Sequence, residues 1–108
     1  MTEEIDYGRL GARIKQIRLD KRLTQEALAE MVNCNVTHIS NIENNHTKVS
    51  LNVLLAITNA LDTSIDFLLS DQYDNSALAL DNAILKAVSE LDDEKKEKIL
   101  KIIEILRT

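Results

Sequence analysis

Proline and tryptophan are absent from this 108-residue sequence, glycine occurs twice, cysteine once, and aromatic residues make up 3%. Without proline, and with so little glycine, the chain reads as helices joined by short polar turns. The lone Cys34 cannot form an internal bridge, which excludes a disulfide scaffold and fits a reducing compartment. No apolar run approaches the roughly 18 residues that a membrane-spanning helix needs. The opening Met1-Thr2-Glu3-Glu4-Ile5-Asp6 is acidic and has no apolar core, so it does not read as a signal peptide. These absences predict a cytoplasmic protein with no membrane partner. Positive charge is also short: 13 Lys and Arg stand against 18 Asp and Glu, a net charge of −5. Phosphate affinity needs Lys and Arg, so the net charge alone argues against a nucleic-acid partner. The 44% hydrophobic content suffices for one small core.

What is present is helical periodicity. Residues 1–6 read as a frayed acidic start. From Tyr7, Leu10, Ile14 and Ile17 recur on one helix face. The stretch 9–22 holds six basic residues and one acid, Asp20. Thr24 is a good N-cap for a second helix over 24–32, with Glu26 in its first turn and Leu28, Met31 and Val32 as its apolar face. Asn33 can end that helix in a left-handed conformation, and Asn35 can cap the next. The third helix, about 36–44, places Val36, Ile39 and Ile42 inward and Thr37, Asn41 and Asn44 outward. Ser50 caps a fourth helix with Leu51, Leu54, Ile57 and Leu61 inward. Ser64 caps a short fifth with Ile65, Phe67, Leu68 and Leu69. Residues 70–76 read as a linker. Two further stripes follow, Leu80/Ile84/Val88/Leu91 and Ile99/Ile102/Ile103/Leu106, with Asp92 or Asp93 as the cap between them. The expected architecture is all-α: five helices over 7–69, then a helical pair over 77–108.

Two short helices separated by three or four residues, the second with one apolar and one uncharged polar face, suggest a helix-turn-helix. In such a unit the first helix braces the second, whose short polar side chains reach base edges in the major groove. Pattern alone leaves a second reading open, a solvated face on a small helical bundle.

The residues add to the pattern. Leu23-Thr24-Gln25-Glu26-Ala27-Leu28-Ala29, Ile39-Ser40-Asn41-Ile42-Glu43-Asn44 and Ser50-Leu51-Asn52-Val53-Leu54-Leu55-Ala56-Ile57 closely resemble the phage-repressor/Cro-like (Xre-type) DNA-binding family. Ala60-Leu61-Asp62-Thr63-Ser64-Ile65-Asp66-Phe67-Leu68-Leu69 matches that family's fifth helix. The resemblance covers about residues 7–69. It implies a five-helix domain that docks its third helix in the major groove of double-stranded DNA, usually as a two-fold dimer. It implies base readers at Val36, Thr37, His38 and Asn41. It implies backbone contacts at Thr24, Gln25, Asn44 and Lys48, with Gln25 also propping a side chain of the third helix. It implies a half-buried structural ion pair between Arg18 and Glu43. Four positions depart from the family pattern: Asn33 and Asn45 stand for glycines, Val49 for a proline and Ala27 for the usual Glu. The last removes the reciprocal partner of the Thr24 cap. None of these changes removes a contact implied with DNA.

Other constellations carry less. Cys34, His38 and His46 lack the fourth ligand of a structural zinc site, so no metal is expected. Arg9 and Arg13 share one side of the first helix and could approach phosphate. No nucleophile–base pair, glycine-rich phosphate loop or paired buried carboxylate is evident, so neither catalysis nor a cofactor is expected. The last helix carries Ile99, Leu100, Ile102, Ile103, Ile105 and Leu106, a stripe wider than one neighbour can cover, with Ile99, Ile102, Ile103 and Leu106 as the candidate interface residues. It either closes on 7–69 or forms a homodimer interface, and exposed apolar patches favour association. The expectation is a transcriptional regulator, a repressor dimer on a palindromic operator. The alternative is an interaction module of antitoxin or anti-repressor type, binding a protein partner through its C-terminal helices. The charge problem also softens: residues 33–50 hold only Glu43 and Lys48 as fixed charges, so the face expected to meet DNA is close to neutral.

Overall fold

A computed structural model of the chain describes residues 4–73 and 77–108. Residues 1–3 of the acidic start and 74–76 of the expected linker lie outside the described residues. The regular structure described is helical throughout: α1 (Tyr7–Asp20), α2 (Gln25–Met31), α3 (Val36–Glu43), α4 (Leu51–Ala60), α5 (Ile65–Leu68), a one-turn 3-10 helix (Ser70–Gln72), α6 (Ala77–Ser89) and α7 (Asp93–Leu106). The chain divides into two compact units, one up to Gln72 and one from Tyr73.

Each α-helix of the first unit starts on a side-chain cap. Asp6, Thr24, Asn35, Ser50 and Ser64 accept the backbone N–H three residues on, satisfying a donor that the helix itself cannot. In the second unit Asp92 does the same for α7. The ends of α1–α4 are also alike. Arg22, Asn33, Asn45 and Asp62 follow the four C-caps with φ between 53° and 62°. In each case the next N–H bonds the carbonyl five residues back: Leu23 to Arg18, Cys34 to Ala29, His46 to Asn41 and Thr63 to Thr58. This is the Schellman stop, made here four times without glycine.

The glycines serve packing instead. A Cβ on Gly11 would lie 2.2 Å from the Ile42 carbonyl oxygen, so α1 can approach α3 this closely only at a residue without a side chain. Around that contact lies the core, with Leu10, Ile14, Leu28, Ile39, Ile57, Leu61 and Leu68 all at 1% exposure or less. Each such side chain stabilises the fold by about 1.5–3 kcal/mol through burial.

Three residues expected inside are outside. Met31, Val36 and Leu51 are 54%, 37% and 71% exposed. Each is the first or last residue of its helix. The apolar period runs on to the helix end, but the neighbouring helices do not. Conversely, Ala29, Val49 and Thr58 are buried although the apolar stripes omit them.

The start of the expected linker is part of the first unit. Gln72 exchanges two hydrogen bonds with the Asp6 backbone, accepting at 2.7 Å and donating at 3.1 Å. Asp71 lies 3.2 Å from both Arg9 and Arg13. Polar composition suggested a free segment, but these side chains have partners on and just before α1.

Candidate nucleic-acid interface

The helix-turn-helix pair is held to the domain by one polar knot. Arg18 of α1 donates from Nε and Nη2 to the two Glu43 carboxylate oxygens at 2.7 and 2.9 Å. Its Nη1 donates to the Leu23 carbonyl at 2.7 Å. Gln25, first residue of α2, donates from Nε2 to the same Glu43 Oε1 at 3.0 Å. Arg18 and Glu43 are each 5% exposed, so the pair is buried, deeper than the half-buried position expected. The hydrogen bonds to Glu43 raise the Arg18 pKa against the desolvation that lowers it, so the guanidinium stays charged. One bidentate pair thus fixes α1, the α1–α2 connection, α2 and the end of α3 together.

The outer side is different in character. Asn33, Cys34, Asn35, Thr37, His38 and Asn41 line an open concavity of about 690 Å³. It contains amides, a hydroxyl, an imidazole and a thiol, and no fixed charge. Thr37, His38 and Asn41 therefore share one surface with three residues of the turn that the spacing of outward positions on α3 had passed over. The left-handed Asn33 is legible in the sequence, but spacing along α3 does not say which side the turn residues share. Asn35 is partly committed, since its Oδ1 caps α3 by accepting from the His38 N–H at 2.8 Å. Cys34 is half-buried, with its thiol 3.7 Å from the Val32 carbonyl. Val36 is exposed but does not line the concavity.

None of the residues expected at the DNA backbone lines this concavity. Thr24 Oγ1 is occupied as a cap by the Ala27 N–H at 3.0 Å. The Gln25 amide is oriented by Glu43, which leaves its second N–H and its carbonyl available. The Asn44 amide donates to Ser40 Oγ at 3.3 Å. The Lys48 ammonium sits 5.6 Å from the centre of the Tyr7 ring, a cation–π contact that holds an otherwise flexible side chain. Arg9 and Arg13, which share one side of α1, each lie 3.2 Å from Asp71, and Arg13 also stacks 4.8 Å over Phe67. Among the described residues no group of three His, Cys, Asp or Glu side chains is placed to hold a metal, and no helix is long and apolar enough to cross a membrane.

Comparison with known proteins agrees with this geometry. The model of the Helix-turn-helix family matches residues 14–68. The chain is 33% identical over 88 residues to the HTH-type transcriptional regulator ImmR of Bacillus subtilis, covering 79% of this chain and 69% of that protein. It is 33% identical over 63 residues to the immunity repressor of Bacillus phage phi105, covering 58% and 44% respectively. Across its curated relatives the chain spans between 13% and 69% of the relative's length. Among solved structures, C.Esp1396I bound to a 25 base pair operator site matches 65% of this chain and 92% of that one, with 33% identity and a TM-score of 0.56.

Proposed function

Because the chain belongs to the helix-turn-helix family of transcriptional regulators, of the phage-repressor type, we propose that it is a sequence-specific repressor that occupies a palindromic operator as a homodimer. The observation that carries this reading is the contrast across α3. Its inner edge is locked by a buried ion pair, and its outer edge presents an uncharged, hydrogen-bonding concavity. A solvated surface needs no such bracing, whereas base readout needs side chains held to a fixed frame. Thr37, His38 and Asn41 read base edges; Gln25, Asn44 and Lys48 position the phosphate backbone, with Thr24 holding the start of α2. The names of a related phage immunity repressor and of an operator-bound relative support the same reading. The protein acts in the cytoplasm, without catalysis, by occluding a promoter.

Selection from a random DNA pool tests it. The expected result is an inverted repeat whose half-sites lie about one helical turn, roughly 34 Å, apart. Failure to enrich any sequence over random DNA, at low and moderate salt alike, would sink the reading.

A further inference from the structure

On the outer side of α3, some polar side chains are engaged and others are not. The Asn44 amide donates to Ser40, and the Asn35 side-chain oxygen caps the helix. The Asn41 amide and the Thr37 hydroxyl make no hydrogen bond among the described residues, and both line the concavity. Val36, the first residue of α3, stands between Asn35 and Thr37 in the chain and is exposed. At about 100° per residue, Val36, Thr37 and Asn41 project within one sector of roughly 140°. That sector lies opposite the buried Ile39 and Ile42.

An amide offers a donor and an acceptor side by side, and in the major groove one base edge matches both. Adenine presents its N7 acceptor beside its N6 amine, whereas guanine presents two acceptors, N7 and O6. Against guanine the Asn41 side-chain oxygen would be desolvated without a donor. Guanine is the partner of Arg and Lys, and neither residue type lines this surface. Arg18 is buried against Glu43, and Lys48 stands over Tyr7. Val36 has no hydrogen bond to offer. The apolar feature of the major-groove edge is the C5-methyl of thymine, and the first residues of a recognition helix lie nearest the base edges. Contact between the isopropyl group and that methyl removes apolar surface of both from water.

We infer that α3 is an A·T reader: Asn41 pairs with the N6 amine and N7 of an adenine, and Val36 packs on the C5-methyl of a thymine. The inference rests on the operator reading above and names the bases that are read. Along the helix axis Val36 and Asn41 are roughly 7.5 Å apart, about two steps of the 3.4 Å base ladder. The two contacts therefore fall on separate base pairs of one half-site, with Thr37 projecting between them.

The test uses the full chain and the operator selected above. In one set of duplexes each enriched adenine is replaced in turn by 7-deazaadenine, which exchanges N7 for a C–H group. In the other, each enriched thymine is replaced by uracil, which lacks the methyl group. Both changes leave the base pairing intact. The wild type is expected to bind roughly tenfold more weakly at one adenine position and about fourfold more weakly at one thymine position. Asn41→Ala is expected to lose the 7-deazaadenine effect and keep the uracil effect, and Val36→Ala the reverse. An enriched operator with only G·C pairs in its half-sites overturns the inference, while the operator reading stands. So does a wild type that binds every modified duplex as tightly as the parent. A loss with only one of the two modified bases overturns the contact that shows none. Effects that persist in both variants place the contacts on other side chains and overturn the assignment. Failure to enrich any sequence sinks the operator reading and this inference with it.

Discussion

At the scale of single residues, Glu43 and Asn41 separate what holds the interface from what uses it. Glu43 is buried and accepts hydrogen bonds from Arg18 and Gln25. Glu43→Ala strands the Arg18 guanidinium without its anion, and removing one member of such a pair costs about 3–5 kcal/mol. The urea midpoint is expected to fall accordingly, and a loss under 1 kcal/mol would mean that water solvates Arg18 there. Asn41 lies on the concave outer face. Asn41→Ala is expected to leave stability nearly unchanged and to cost roughly 1–3 kcal/mol of binding at one base pair, relaxing preference there. Unchanged discrimination across single-base operator variants would remove Asn41 from the reading set. The Arg18–Glu43 pair was legible only through the resemblance, because no periodicity couples residues 25 positions apart. Its depth was not legible at all, since burial depends on how closely α1 and α3 approach at Gly11.

At the scale of elements, helix starts were easier to read than helix stops. A Ser, Thr, Asn or Asp before an apolar stripe signals a cap through its own chemistry, and Thr24, Asn35, Ser50 and Ser64 act as expected. Of the four left-handed stops, Asn33 was expected, and Asn45 stands where the family places a glycine. Arg22 gave no such signal. Arg22, at φ 58°, is the least suited, because its Cβ crowds the backbone and its side chain offers no compensating local hydrogen bond. Arg22→Gly is therefore expected to stabilise the first unit by roughly 1 kcal/mol, the relieved strain exceeding the extra freedom of glycine in the unfolded chain. A lower urea midpoint in this variant would show that the Arg22 side chain makes a favourable contact outweighing its strain. The 3-10 turn at Ser70–Gln72 is the opposite case. Its composition resembles a linker, and only partners distant in sequence, Asp6, Arg9 and Arg13, make it part of the fold.

At the scale of the whole molecule, net charge was a misleading guide because it averages over surfaces with different tasks. The face proposed to meet DNA carries no fixed charge in its concavity, while Arg9 and Arg13 face Asp71. Lys48 is the one fixed cation among the residues proposed at the phosphates. Two such contacts per dimer predict a slope of log K against log salt of about −2, where six to ten phosphate contacts would give roughly −5 to −9. Binding titrations on the selected operator between low and moderate salt measure this. A steep slope would show that cations outside α2–α4 reach the backbone. The same balance predicts weak binding to random DNA, leaving discrimination to hydrogen-bonded fit and to the pairing of two copies.

The sequence alone determined what local chemistry and short periods can encode. It set the all-helical class, the helix starts and the uncharged outer face of α3. These features depend on residues within a turn or two of one another, where the spacing is fixed by the helix itself. Only the tertiary structure decided which apolar residues are covered, how deep Arg18 and Glu43 lie, which cations sit beside Asp71, and that the turn at 33–35 joins Thr37, His38 and Asn41 on one surface. Those outcomes depend on where a helix ends relative to its neighbour and on contacts between residues far apart in the chain. The closest of them, the approach of α1 to α3, exists because one residue, Gly11, has no side chain.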